Sequence, residues 1–308
     1  MPHLLSIGEC MVELAPAGAD TFRMGFAGDT FNTAWYARRL LPPDWRVGYC
    51  TRVGTDAISD RMVQFIDDAG IENADIARDP DRTVGLYMIQ TEDGERHFSY
   101  WRGESAARRL AEDPGWLAGR LGRADVLFFS GITLAILPPE GRARLCAALA
   151  EARATGKRVV FDTNMRPRLW EDADALCQGI MAGAGVADIV LPSLDEEVAA
   201  FGDTDARAVA DRYHRVGAGL VVVKNGGGEI LASDNGARTR VRPPDVARPV
   251  DTTAAGDSFD GGFLAAHLTG APLAAALTRA AALAARVVQA PGALVDPGSD
   301  FATEEDTP

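Results

Sequence analysis

The chain has 308 residues, 47% of them hydrophobic, which is enough for one large domain or two modest ones. Its formal net charge of −13 argues against a general nucleic-acid binder, which would carry a basic face. Four scattered cysteines (Cys10, Cys50, Cys146, Cys177), with no CxxC pair and no nearby histidines, argue against zinc and point to free thiols in a reducing cytosol.

The N-terminus, MPHLLSIGE, lacks the basic region and long apolar core of a signal peptide. No run of ~20 apolar residues is uninterrupted, because the Ala-rich stretch 271–290 contains Arg279 and Arg286. The expectation is a soluble, cytoplasmic protein without membrane contact. LLSIG (4–8) predicts a first strand, and FNTAWYARRL (31–40) a helix capped by Asp29 or Thr30. VGYCTRVG (47–54) predicts a strand, and SDRMVQFIDDAG (59–70) a helix closed by Gly70. DVLFFSG (125–131), RVVFDTN (158–164), DIVLPS (188–193) and LVVVKNG (220–226) are continuous apolar strands, the pattern of a parallel sheet buried on both faces. Between them, PEGRARLCAALAEARATG, EDADALCQGIMAGAG and DARAVADRYHRVGAG have helical spacing. This alternation predicts a doubly wound α/β domain over residues 1–308 with a mostly parallel sheet flanked by helices.

Two segments break the alternation. ECMVELAPAGADTFRMGFAG (9–28) and TVGLYMIQTEDGERHFSYWRG (83–103) have strand periodicity, the second with a hairpin turn at Asp93-Gly94. They predict a small antiparallel sheet that acts as a lid near the strand ends. The tail, 297–308, reads as polar.

DTTAAGDSFDGG (251–262) places one acid, Asp257, after Gly256 and a collar of small residues, just ahead of an apolar helix. A helix N-terminus offers unpaired N–H groups and a positive dipole end, which suits phosphate. A carboxylate there would repel a phosphate that was merely bound. It makes sense as a base that removes a proton from a hydroxyl attacking that phosphate, and an ordinary carboxyl pKa of ~4 is adequate for a late proton transfer.

DTTAAGDSFDGGF (251–263) resembles the D-T-x-G-A-G-D signature of the ribokinase-like (phosphofructokinase-B type) sugar kinases, with Ala254 in a glycine's place. That change costs little if φ is negative there. AGDTFNTAWYARRL (27–40) resembles the family's G-G-x-x-x-N element, with Ala27 for the first glycine. VGTD (53–56), GIT (131–133), FDTNMRP (161–167) and VVKNG (222–226) follow in the family's order, so the resemblance spans nearly the whole chain. It implies a ribokinase-like fold, Asp257 as catalytic base, and the amides of Ala254, Ala255, Gly256 and Asp257 as an anion hole. It further implies Gly28 and Asn32 as sugar-binding residues and Ile132 as pocket lining. Ser193, Glu196, Lys224 and Gly226 fall on the nucleotide side, with Glu196 ordering water around Mg²⁺. PSLDEE shows serine where the family has N-x-x-E, and in KNGGGE Glu229 stands in the place of the third glycine of K-x-G-x-x-G. The resemblance implies ATP and Mg²⁺ as requirements; K⁺ stays open, with the loop around Asp251 as its candidate site.

Within that family, GERHFSYWRGESAAR (94–108) and DTNMRPRLW (162–170) are most similar to the 2-keto-3-deoxygluconate kinases. The implied reaction phosphorylates the terminal 6-hydroxyl of 2-dehydro-3-deoxy-D-gluconate. Arg102 and Arg166 would meet its carboxylate with planar two-pronged guanidinium groups. Tyr87 and Tyr100, on the lid strands, would shield sugar carbons. Two other readings stay open: a kinase of fructose, ribose or a keto-acid isomer, and a catalytically silent sugar-binding regulator. Lid sheets of this family often meet in dimers, so a homodimer through the lid is expected.

Overall fold

Runs such as LLSI, VLFFS and VVFD have no polar face, so each needs apolar cover on both sides, and a central sheet between two helical layers supplies it. The computed structural model describes residues 1–18, 20–92, 95–298 and 301. In chain order the elements are β1 (His3–Ile7), β2 (Met11–Gly18), β3 (Thr21–Ala27), α1 (Asp29–Leu40), β4 (Arg46–Val53), α2 (Ala57–Asp68), β5 (Ile76–Arg78), β6 (Leu86–Glu92) and β7 (Glu95–Trp101). There follow α3 (Pro114–Leu121), β8 (Val126–Ser130), α4 (Gly131–Ile136), α5 (Pro139–Ala154), β9 (Arg158–Asp162), α6 (Ala173–Gly185), β10 (Ile189–Val190), α7 (Leu194–Phe201), α8 (Ala206–Arg215), β11 (Leu220–Val223), β12 (Ile230–Asp234), β13 (Ala237–Val241), α9 (Ala255–Leu268) and α10 (Leu273–Val287).

The main sheet has nine strands in the order β13-β12-β11-β10-β9-β8-β1-β4-β5. It is parallel from β11 to β5, and β12 and β13 run antiparallel at one edge. Strand residues alternate between two cores. Leu4, Val126, Phe128, Val160 and Val222 pack with α1, α2, α9 and α10. Leu5, Leu127, Phe129, Val159, Phe161 and Val221 pack on the other face with α3, α5, α6 and α8. Aspartates cap several helices from outside: Asp56, Asp113, Asp172 and Asp205 each accept a first-turn amide of α2, α3, α6 and α8. No helix among the described residues is long and apolar enough to cross a membrane.

The second sheet, β3-β2-β6-β7, joins two antiparallel hairpins through a parallel β2–β6 pairing. Met11, Ala27, Tyr87 and Ile89 from this sheet pack with Ala293 and against Ala254, so the sheet stands beside the loop that enters α9.

Four details differ from the sequence-based expectations. The cap of α1 is Gly28; Asp29 and Thr30 lie inside the first turn. A Cβ on Gly28 would come within 2.2 Å of the Glu9 carbonyl oxygen, so only glycine lets the β3–α1 corner cross the β1–β2 connection. The strand expected over 188–193 keeps only Ile189–Val190, since Pro192 has no N–H for a ladder. The hairpin β12–β13, turning at Asn235 (φ +46) and Gly236 (φ +91), was not anticipated. Phe301, placed by sequence in a polar tail, packs against the core around α1, α9 and α10. The expected turn at Asp93-Gly94, and residues 299, 300 and 302–308 of the expected tail, lie outside the described residues.

Candidate active site

Loop 251–254 delivers the chain to α9 at the carboxyl ends of the parallel strands, where open α/β sheets bind ligands. The Asp251 carboxylate accepts from the amides of Thr253 (3.0 Å) and Gly292 (2.6 Å), which pins the loop. Ala254 is the N-cap of α9, with φ +59 and ψ +17. The condition for a cheap substitution, a negative φ, is therefore not met, and an alanine occupies the left-handed region, at a cost of about 1 kcal/mol. Replacing Ala254 with glycine is expected to raise stability by up to about 1 kcal/mol, partly offset by the entropy glycine adds to the unfolded chain. A denaturant midpoint unchanged or lowered by that substitution would show that the loop carries no such strain.

The amides proposed for anion binding are not equivalent. That of Ala255 donates to the Thr252 carbonyl at 3.2 Å. Those of Gly256 and Asp257 lie in the first turn, where a helix offers no acceptor. Asp257 itself is only 9% exposed. Its Oδ2 accepts from Asn32 Nδ2 at 2.7 Å, and its carbonyl accepts from Thr33 Oγ1 at 3.2 Å. The two helices meet closely because Gly261 faces α1: a Cβ there would lie 2.6 Å from Tyr36 Cβ. Burial pushes the Asp257 carboxyl up, the nearby Asp29 and Asp162 carboxylates add to this, and Asn32 and Lys224 oppose it; the result is about 7. The carboxyl is thus more basic than the ordinary value near 4 that would already be adequate for a late proton transfer.

Around Asp257, four strand ends and the first turn of α1 contribute polar groups. Asn32 uses its Oδ1 on the Gly28 amide (3.3 Å), so both polar ends of its side chain are engaged within the chain. Asp29, read from sequence as a helix cap, instead accepts from Ser130 Oγ at the end of β8 and from Asn164 Nδ2 (3.0 Å) after β9. Burial raises its carboxyl, and the Ser130 hydrogen bond works against that. Asn164 holds φ +24, a conformation asparagine tolerates better than most residues. Ile132, in the first turn of α4, is half-buried against the core of that face.

The lid-side residues are also paired. Arg102 is buried, and its guanidinium forms an ion pair with Glu9, itself only 2% exposed, at the end of β1. The Tyr87 hydroxyl donates to Glu13 on β2. Tyr87 and Tyr100 are cross-strand partners with ring centroids 5.9 Å apart; Tyr87 is buried and Tyr100 is exposed.

On the other side, Arg166 Nη1 donates to Glu196 Oε1 (2.6 Å), and a second Glu196 oxygen accepts from the Met165 amide (2.9 Å). An arginine read for the sugar acid and a glutamate read for the nucleotide thus meet at one boundary. Ser193 caps α7 and bridges in parallel to Lys224, and the Leu194 amide donates to the Lys224 carbonyl at 2.8 Å. Lys224 Nζ donates to Asp162 (3.0 Å) and to both oxygens of Asp260 (3.1 Å each). Gly226, φ +51, is exposed in a tight turn closed by the Gly228 amide on the Asn225 carbonyl (2.6 Å). That turn is the path the altered glycine spacing takes. The described residues hold no cluster of three or more side chains suited to a metal. Glu196, a single hard carboxylate on this side, fits a Mg²⁺ carried by phosphate oxygens and water.

A buried carboxylate, two first-turn amides that meet no acceptor among the described residues, and nearby arginines have the chemistry to move a phosphoryl group onto an alcohol. The family model for pfkB family carbohydrate kinases matches residues 1–297. The chain belongs to that family. It is 40% identical over 301 residues to the 2-dehydro-3-deoxygluconokinase of Dickeya dadantii, covering 95% of this chain and 96% of the relative. To the enzyme of the same name from Escherichia coli K12 it is 41% identical over 297 residues, covering 94% and 96%. Among solved structures, the fructokinase of Xylella fastidiosa with bound ATP superposes with a TM-score of 0.79 at 25% identity, covering 94% of this kinase and 93% of that chain.

Several residues of this kinase's site went unread in its sequence. Glu9, Asp162 and Asp260 each carry a signal that could have found them: a lone acid in or beside an otherwise apolar run, which burial makes costly unless it is paired. Glu13 and Ser130 carry none, because alternating or mixed surroundings make a polar residue ordinary there.

Proposed function

We propose that this kinase transfers the γ-phosphoryl group of ATP to the 6-hydroxyl of 2-dehydro-3-deoxy-D-gluconate. The observation that carries the reading is the placement of the Asp257 carboxylate, held by Asn32, at the mouth of α9 beside the first-turn amides of Gly256 and Asp257. The substrate assignment is supported by 40–41% identity along nearly the full chain to enzymes of that name.

Asp257 orients the hydroxyl and accepts its proton late in transfer. The O6–Pγ bond forms as the bond from Pγ to the bridging oxygen breaks, and ADP leaves. The amides of the α9 first turn face charge that grows on the migrating group. Ser193 and Gly226 border the nucleotide, and Glu196 would order water around a Mg²⁺, whose contribution would be to neutralise phosphate charge. Asp29 and Asn164 offer an acceptor and a donor to sugar hydroxyls. Arg166, half-exposed and reachable, receives the substrate carboxylate, and Arg102 would add a second guanidinium from the lid side. The small sheet serves as lid, and Phe98 and Tyr100, exposed on one face of it, support a homodimer through that face.

The test is a substrate panel read by ADP release: the keto acid, its galacto isomer, fructose and ribose. A preference for a neutral sugar would remove the substrate assignment. Arg166→Ala is expected to weaken keto-acid binding by about 2–4 kcal/mol, the cost of leaving a charged partner unpaired. An equal loss with a neutral analogue would sink the carboxylate contact. Keto-acid binding without ADP release under any condition would favour the regulator instead.

A further inference from the structure

Lys224 follows β11, is 8% exposed, and has its backbone fixed on both sides: its amide donates to the Pro192 carbonyl and its carbonyl accepts from Leu194, both at 2.8 Å. An ammonium has three N–H donors. Here three carboxylate oxygens lie within 3.1 Å, one from Asp162 at the end of β9 and two from Asp260 in α9. A phosphate oxygen would have to displace one of them. Asp260 is wholly buried and lies one helical turn beyond Asp257. Nζ lies only 3.7 Å from where a Cβ on Gly256 would be, so the ammonium sits directly beneath the first turn of α9.

We infer that Lys224, Asp162 and Asp260 form a buried positioning cluster that fixes the first turn of α9 against the ends of β9 and β11, and that Lys224 is not a ligand of the nucleotide. The inference rests on the reading of Asp257 as base, since the cluster acts through it. Two strand ends and one helix meet at a single ammonium, so removing it frees the helix that carries both the base and the anion-binding amides. The cluster also sets part of the field at Asp257, together with Asp29, Asn32 and Tyr36 from α1 and Arg166 after β9. Burial and the neighbouring Asp162 push the Asp260 carboxyl well up, while Lys224 opposes this.

The experiment measures kcat, both KM values and the calorimetric affinity for a non-hydrolysable ATP analogue in Lys224→Met, Asp260→Leu and Asp260→Asn. Lys224→Met and Asp260→Leu are expected to lower kcat at least 30-fold while KM for ATP and the analogue affinity change less than threefold. Asp260→Asn, which keeps an acceptor for the ammonium and a donor for Asp162, is expected to retain kcat within about threefold. The acid limb of the kcat/KM profile should move to higher pH in Lys224→Met, because a positive charge beside Asp257 is lost. A KM for ATP raised tenfold with kcat kept in Lys224→Met would overturn the inference, as would wild-type kcat in Asp260→Leu or equal loss in Asp260→Asn and Asp260→Leu. If Lys224→Met does not fold, the Asp260 pair decides alone. Asp257→Asn run in parallel separates the two readings: normal turnover there removes the base assignment, whereas the analogue affinity of Lys224→Met still reports on nucleotide contact.

Discussion

Asp257→Asn is expected to lower kcat by about three orders of magnitude, within the range general bases contribute, while both KM values stay within a few-fold. The amide keeps the shape and an acceptor for Asn32, so the loss isolates proton removal from positioning. In the parent enzyme kcat/KM should fall below about pH 7, because the carboxyl is pushed up to about 7 and only its ionised form accepts a proton. The same substitution should stabilise the fold, with a definite pH dependence. The folded carboxyl binds its proton more tightly than the unfolded one, whose ordinary value is 3.8, so native stability falls as pH rises from about 4 through about 7. Asparagine escapes that loss. Its gain should be near zero below pH 4 and reach on the order of 2–4 kcal/mol above pH 7. Turnover within tenfold of the parent would refute the base assignment; a gain that does not grow with pH would refute the raised carboxyl.

The second large effect concerns Arg102. Its guanidinium is paired with Glu9, whose side chain is 1% exposed. Arg102→Met leaves that acid buried without its partner, and a stability loss of about 3–5 kcal/mol is expected, read from denaturant melts. Glu9→Gln in the same chain removes the stranded charge and should restore most of it. Activity then separates two roles for the arginine. If Arg102 meets the substrate carboxylate, the stable double variant keeps a KM for the keto acid raised at least tenfold. A near-normal KM in the double variant would confine Arg102 to holding Glu9 at the end of β1.

The apolar runs of β1, β8, β9 and β11 were legible because a strand covered on both faces has no polar positions to blur it. Asp257 was legible because a helix entry, an acid and small residues are adjacent in the chain. The hairpin β12–β13 carried a legible Asn-Gly turn at 235–236 that went unread beside stronger neighbouring signals. Asp29 was misread for a different reason. An acid near a helix start is equally good as a cap or as a first-turn residue, and what separates the two here is Ser130, 101 residues away. Similarly, the charge partners of the residues read as ligands, Glu9 for Arg102 and Glu196 for Arg166, come from elsewhere in the chain and could not be read locally.

By itself, then, the sequence determined the layers, the motif order, the family and the place of Asp257 at a helix entry, all of which depend on residues close along the chain. Tertiary structure alone decided the left-handed backbone at Ala254, the raised carboxyl of Asp257 and the charge partners of Arg102, Arg166 and Lys224. Burial and pairing energies depend on distance in space, and two groups that set them here, Asn32 and Asp257, lie 225 residues apart.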